Sequence, residues 1–322
     1  MIRSFIFSDG RLVGQDLEVE ALRLVRADKG LLLWVDLDNP TPDEIKAILE
    51  GVFGFHPLAI EDCVQPNSLP KVEDYEDYLF IVTHAVDFTR TEKFNTTELD
   101  LFLGKDFLVT FHTAPLRSVT TLTERIVKNV GVGPRGPDRI AHTLIDLLVD
   151  NYAPVIEELR AELEDLEEHV LAKESVHKTL VNEMLHVRGD FTHLRTIVRP
   201  QRDVIERLAR GDSKMIRPKL LPYFRDLRDN LARLEDTAAG YHERLLMAFD
   251  IYLNKAAFEA NEGIKFLTAI TAVTIPVMVV GTWFGMNFKS MPELENGYPW
   301  ALAFTVVTTI LMVIYLRKKR WF

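Results

Sequence analysis

Cysteine is almost missing from this sequence of 322 residues: Cys63 stands alone. No disulfide can form within the chain, which suits a reducing compartment. No leader peptide is expected, since "MIRSFIFSDGRLVG" has no long apolar core and no small-residue cleavage site. No histidine pair at i, i+4 and no cysteine partner is found among the nine histidines, which argues against a structural zinc site. The one glycine-dense stretch, "GVGPRGP" (131–137), lacks the Lys-Ser/Thr of a phosphate-binding loop. With no nucleophile–base pair visible either, an enzyme is not expected.

Charge is missing from two stretches only. Residues 266–288 form an uncharged run of 23, and residues 296–316 form a second one. A bilayer core requires ~20 mostly apolar residues in a helix. Residues 264–284 and 298–316 meet that need, with Trp283, Tyr298, Trp300, Tyr315 and Trp321 near their ends, as interfacial aromatics are. Arg317, Lys318, Lys319 and Arg320 follow the second run directly. Positive charge stays on the cytoplasmic side, so the C-terminus is expected there. Two spans return the chain to the side it left, so the N-terminal part is expected in the cytoplasm as well. The intervening loop then faces outward, with Lys289 against Glu293 and Glu295. Two helices alone cannot enclose a path through a membrane. Conduction would require several copies around an axis.

What remains is acidic. The formal net charge is −10, from 48 acidic and 38 basic side chains. The basic tail, Lys265 and the loop together leave −14 on residues 1–264. Phosphate backbones need clustered cations, so nucleic acid is excluded as a partner. The balance suits cations; an acidic domain charged only for solubility would carry it equally well.

Residues 1–114 read as α/β, with strands in "RSFIF", "LLLWVDL", "YLFIVTHAVDF", "TTELDLFLG" and "DFLVTFHT". Gly104, Lys105 and Asp106 form a hairpin turn. "TPDEIKAILEGVFG" opens on a Thr cap and a first-turn Pro and closes at Gly54, and "HPLAIEDC" is a short helix. Residues 115–213 are helical: one helix over "APLRSVTTLTERIVKNVG", then an antiparallel pair from Asp138 to Arg210, broken near Lys173, Glu174 and Ser175. The acidic run "EELRAELEDLEEHVLAKE" attracts cations or is a solvated face pairing with Arg160 and Lys173. From about Met215 one helix is expected to run to Phe284, on the order of 100 Å long. It comprises a stalk (214–263) and a first span (264–284). An outer loop (285–297), a second span (298–316) and a basic tail (317–322) complete the chain.

One stripe of that helix draws attention. Asp250, Asn254, Ala257, Asn261, Ile264, Thr268, Thr271, Ile275 and Met278 step by three or four, so they share a face. Polar groups at membrane depth cost least toward water or another helix. The threonines could instead bond back to their own helix. Pro276 removes a backbone hydrogen bond in mid-span, where a hinge or a packing kink would arise.

Gly285-Met286-Asn287 closes the first span, and Met291-Pro292-Glu293-Leu294 follows. In that position the combination resembles the signature of the CorA magnesium transporters, and the likeness covers nearly the whole chain. "HPLAIEDC" and "LPKVEDYEDYLFIV" resemble the family's N-terminal domain, with Leu69 where an Arg is common. Phe284 replaces a usual Tyr. The resemblance implies an α+β cytoplasmic domain, a long stalk helix and two C-terminal spans, assembled as a funnel-shaped homopentamer in the cell (inner) membrane. It implies a Mg²⁺ channel, with Co²⁺ and Ni²⁺ as further ions. Gly285, Met286 and Asn287 would form the pore mouth, and Gly285 would let the backbone turn there. Asp250, Asn261, Ile264, Leu267, Thr268, Thr271, Ile275 and Met278 would line the pore. Glu293 and Glu295 would draw cations to it. "YFRDLRDN" (223–230) matches the stalk segment that carries a regulatory carboxylate, here Asp226, and Asp87 is its candidate partner. On residues alone, Asp226 could equally be a surface Asp paired with Arg225 or Arg228. A zinc transporter of the same superfamily is the nearest rival, against which the intact Met-Pro-Glu-Leu counts. A membrane-anchored scaffold that transports nothing is the second.

Overall fold

The computed structural model describes residues 1–28, 30–65, 69–86, 96–128, 133–172, 178–286, 297–319 and 321. Two compact units emerge, one formed by Met1–Ala172 with Lys178–Leu246 and one containing Met247–Phe322.

The first unit is built on a seven-stranded sheet. Its strands are β1 (Ile2–Ser8), β2 (Arg11–Gln15), β3 (Leu32–Asp38), β4 (Lys71–Asp74), β5 (Tyr78–Val86), β6 (Thr96–Gly104) and β7 (Phe107–His112). They lie in the order β2-β1-β3-β7-β6-β5-β4. Only β3 and β7 pair in parallel; the other neighbours are antiparallel. β6 and β7 form the hairpin expected around Gly104, Lys105 and Asp106. β5 and β7 are buried at every position, because helices cover both faces. That is why they read as unbroken apolar runs rather than as alternation.

On one face lie α1 (Val19–Ala27), the short α2 (Pro42–Ile45) with its π-helical continuation Lys46–Val52, and α3 (Pro57–Val64). They cover a core that includes Leu22, Leu49, Ile60, Phe80 and Phe102. Phe55 stacks on Phe102 at 4.1 Å between centroids, and Tyr78 tilts against Phe55 at 4.7 Å. The Thr41 cap closes as a capping box: Thr41 Oγ1 accepts from the Glu44 N–H and Glu44 Oε2 accepts from the Thr41 N–H. Gly54 ends the segment at φ +66, a left-handed turn that glycine takes without strain.

The other face carries α5 (Pro137–Asp150) on β3, β5, β6 and β7, and α7 (Lys178–Arg210) on β4 and β5. α4 (Arg117–Val127) packs on α5, and α6 (Tyr152–Leu171) packs on α7. The expected pair over 138–210 is thus three helices, because the chain also breaks at Asn151. Its side-chain amide donates to the Leu147 carbonyl there, just ahead of α6 with Pro154 in its first turn. Tyr152 donates to the His84 carbonyl at 2.6 Å, and Gln201 accepts from the His84 N–H at 2.9 Å, tying the end of β5 to α6 and α7.

α8 runs from Leu221 to Phe284, 64 residues through Gly240, Gly263 and Pro276. It starts later than Met215. Arg217 precedes a proline, which favours an extended backbone (φ −72, ψ 142), and its N–H is committed to Asp138 Oδ2 at 3.0 Å. A 3₁₀ turn, Pro218–Leu220, then leads in. In the second unit, α9 (Gly297–Lys318) begins against the end of α8. A Cβ on Gly297 would stand 3.0 Å from the Phe284 ring.

A buried polar network crosses β1, β3 and β7. Asp36, fully buried, accepts from Arg3 at 2.9 Å and Thr110 Oγ1 at 2.6 Å, and lies 3.2 Å from His112 Nε2. His112 Nδ1 lies 2.7 Å from the Ala114 carbonyl. Both ring nitrogens face acceptors, so the imidazolium fits best. Burial works against that charge, but Asp36, Ala114 and Asp38 outweigh it and raise the His112 pKa. A folded-state pKa above the unfolded one contributes stability that is complete below the unfolded pKa of about 6.5 and is lost as pH rises through the folded value. Urea midpoints of the full chain, compared with those of His112→Gln, should therefore differ most at acid pH and converge above neutrality. A gap that widened with pH would refute the charge assignment.

Candidate ion pathway and sensor site

Every stripe residue named from the sequence lies on α8. Asp250, Asn254, Ala257, Asn261, Thr268 and Thr271 are exposed, and Ile264, Leu267, Ile275 and Met278 range from 49 to 66% exposed. At about 100° per residue they fall on one side of the helix. Leu267 sits at the margin of that side. The buried positions Leu245, Ala248 and Tyr252 fall roughly opposite. The chain leaves the stripe uncovered, as it does other positions of the span such as Phe266, Val277 and Val279, so the polar and small residues on it, not its exposure, set it apart. One chain lines these residues up; it does not bring them around a common point.

The threonine hydroxyls turn inward. Thr268 donates to the Ile264 carbonyl at 2.7 Å, Thr271 to Leu267 at 2.9 Å, and Thr282 to Met278. This is the back-bonding alternative weighed above. It spends the hydroxyl proton and leaves the lone pairs outward, so each hydroxyl can still accept a hydrogen bond.

Among the described residues, two helices are long and apolar enough to cross a membrane: the one ending at Phe284 and the one ending at Lys318. At the end of α8, Gly285 keeps a helical bond to the Gly281 carbonyl at 3.0 Å. Among the described glycines, positive φ occurs at Gly10, Gly54 and Gly211, and Gly285, directly after the last residue of α8, is not one of them. Met286 is exposed. Asn287, Glu293 and Glu295 lie outside the described residues, and so does Asp87.

Asp226 sits near the start of α8, exposed. Arg228 pairs with Asp229 at 2.7 Å instead, and Asp226 makes no ion pair among the described residues. Across from it, the buried His142 of α5 packs edge-on against Phe224 at 5.0 Å and Tyr223 at 5.8 Å. Burial, with Arg139 beside it, lowers the His142 pKa, against the upward pull of the Tyr223 backbone, Asp146 and Asp226. Two carboxylates, one from α5 and one from α8, thus act on a single imidazole. Asp146 also raises the pKa of Asp150, behind burial as the larger cause. Sequence reasoning missed Asp146; its signal was the i, i+4 spacing of Asp146 and Asp150 on a helix that later packs near Asp226. These hard oxygen donors suit Mg²⁺, which binds through a few carboxylates and keeps its waters. Among the described residues no three His, Cys, Asp or Glu side chains are placed to hold an ion. A complete sensor site would need further ligands.

The chain as a whole is similar to known proteins. The family model described as "CorA-like Mg2+ transporter protein" matches residues 29–318. The putative metal ion transporter YfjQ of Bacillus subtilis is 33% identical over 291 residues, covering 90% of this chain and 89% of the relative. The cobalt/magnesium transport protein CorA of Thermotoga maritima is 30% identical over 298 residues, covering 91% of this chain and 84% of the relative. Among solved structures, the complete CorA magnesium transporter of Methanocaldococcus jannaschii superposes with a TM-score of 0.82 at 24% identity, covering 99% of this chain and 98% of that one. An α/β unit, a long helix that enters an apolar span and a second apolar helix behind it are thus shared along nearly the full length, and the chain belongs to the CorA-like Mg²⁺ transporter family.

Proposed function

We propose that this chain is a divalent-cation channel that admits Mg²⁺, and with it Co²⁺ and Ni²⁺, through a pore lined by α8 from several copies. The family resemblance puts the number of copies at five. The observation that carries this reading is the exposed stripe from Asp250 to Met278, with Asp250, Asn261, Thr268 and Thr271 on it, on the helix that ends just before Gly285 and Met286.

The chemistry follows from Mg²⁺ hydration. The ion gives up its water reluctantly. A ring of Asn287 amide oxygens at the outer mouth accepts hydrogen bonds from the waters of the hydrated ion without stripping them. A carboxylate ring there would hold it too long for fast passage. Glu293 and Glu295 raise the local cation concentration. Further in, the outward lone pairs of Thr268 and Thr271 accept from the ion's waters. Ile264, Leu267, Ile275 and Met278 narrow the path where no polar group compensates, and Asn261 and Asp250 receive the ion at the cytoplasmic end. Both termini are cytoplasmic, by the positive tail after α9.

Cytosolic Mg²⁺ bound at Asp226, with Asp87 as a candidate ligand and Asp146 nearby, holds neighbouring copies together and the path closed. Loss of that ion releases them. Uptake into proteoliposomes holding the purified full chain tests the reading. Saturable Mg²⁺ entry that Co²⁺ and Ni²⁺ compete for, with no requirement for a proton gradient, is expected. Zn²⁺ uptake driven by a proton gradient, without Mg²⁺ entry, would assign the chain to zinc transport instead.

A further inference from the structure

In the N-terminal unit a cavity of about 700 Å³ opens where three turns meet. They are the β1–β2 turn at Asp9 and Gly10, the β6–β7 turn at Lys105 and Asp106, and the loop into α5 from Pro134 to Pro137. The segment leading into α8, with Arg217 and Lys219, borders it as well. That volume falls in the range of small-molecule sites. Neither the ion path nor the sensor site uses it.

The loop is held in place by tight backbone contacts. A Cβ on Gly133 would collide with the Gly10 carbonyl, and one on Gly136 would collide with the Arg217 guanidinium. Arg217 locks the arrangement by bonding Asp138 through Nε at 2.7 Å and the Arg135 carbonyl through Nη1 at 2.7 Å. Its charge is thereby spent. Asp106 is likewise committed, to Arg26 at 3.1 Å. Three exposed cations remain: Lys105, Arg135 and Lys219. None is in an ion pair among the described residues, and the one other carboxylate on the lining is Asp9. Residues 1–264 carry fourteen net negative charges, so a cavity with surplus positive charge reverses the local sign. Leu31 and Leu32 and the rings of Pro134 and Pro137 add apolar lining.

We propose that this cavity binds a nucleoside polyphosphate. The three cations meet the phosphates, as charge-assisted bonds do, and the apolar lining accepts the base. An extended nucleic acid is excluded by the acidity of the surrounding surface. The inference stands apart from the transport reading. It acquires a consequence there because Lys219 lies in the 3₁₀ turn directly ahead of α8, so a bound phosphate would touch the start of the helix that bears Asp226.

The test is calorimetric titration of the metal-stripped full chain in detergent with ATP, tripolyphosphate and AMP. Saturable ATP binding at one site per chain is expected, tighter than either fragment ligand. Loss of one phosphate contact corresponds to about a ten-fold weaker Kd, so Lys219→Glu should weaken ATP by at least that factor and Lys105→Glu/Lys219→Glu by more. These side chains are exposed, so thermal unfolding of the variants should match wild type. The proposal is overturned if ATP does not bind saturably, or if the double variant binds as wild type does. Tripolyphosphate binding as tightly as ATP would overturn the nucleoside assignment.

Discussion

Asn287→Ala is expected to reduce Mg²⁺ uptake by about ten-fold or more, with the protein still inserted in the membrane at wild-type levels. The expected loss is large because a symmetric assembly repeats the substitution in every copy. On the proposed reading the whole ring of amides at the mouth disappears at once, and the methyl groups that replace them cannot accept from the waters of a hydrated ion. Asn287→Asp should fail differently. It keeps the oxygens but adds charge, so the ion should be held more tightly and released more slowly. Initial rates of Mg²⁺ entry into proteoliposomes, normalised to reconstituted protein, separate these outcomes. Uptake unchanged in Asn287→Ala would mean that the motif is not the entrance, and a membrane-anchored scaffold would regain ground.

The second large effect concerns the sensor. Asp226→Ala should raise the Mg²⁺ concentration needed to protect the full chain from proteolysis by about ten-fold, the equivalent of one lost charge-assisted ligand. The affinity falls, so the protection curve moves to higher Mg²⁺. Asp146→Ala should move it in the same direction, because Asp146 and Asp226 act on the same His142 ring. Asp229→Ala serves as the control: that carboxylate is engaged with Arg228 and should leave the curve where it was. A curve that Asp226→Ala does not move would remove Asp226 from the sensor.

Much of this architecture was legible in the sequence, for physical reasons that differ from element to element. The two apolar runs announced themselves because nothing but lipid or protein tolerates so long a stretch without charge. The Thr41 cap and the hairpin at Gly104 were readable because each depends on a few adjacent residues. β2 and β4 were not read. They are short edge strands, β2 is largely exposed, and their sequences lack a buried face to impose alternation. α1 buries only Leu22 among its nine residues, which leaves little periodic signal. The start of α8 was misplaced by six residues, because the deciding contact is the Arg217–Asp138 pair. It joins positions 79 residues apart and has no local trace.

The candidate site divides along the same line. The stripe on α8 is a property of one helix, so spacing alone revealed it. The proposed sensor would join α5 to α8, so Asp226 came only through family likeness and spacing did not offer Asp146 at all. The threonines are a third case. Their hydrogen bonds to Ile264 and Leu267 were foreseeable as an alternative, but the structure was required to show that the back-bonded rotamer is the one adopted.

The measurement that bears most directly on the pathway is thiol blocking along α8. Cys63 is buried among apolar residues, and burial, with Asp100 and Glu98 nearby, pushes its thiol pKa well up, so the wild-type background is inert. Met278→Cys and Val277→Cys place a new thiol on adjacent positions that fall on different sides of the helix, both with exposed side chains in the single chain. A charged, membrane-impermeant thiol reagent is expected to stop Mg²⁺ uptake by Met278→Cys and to leave uptake by Val277→Cys untouched. Equal block at both positions, or block at Val277→Cys alone, would contradict a pore lined by the Asp250–Met278 stripe.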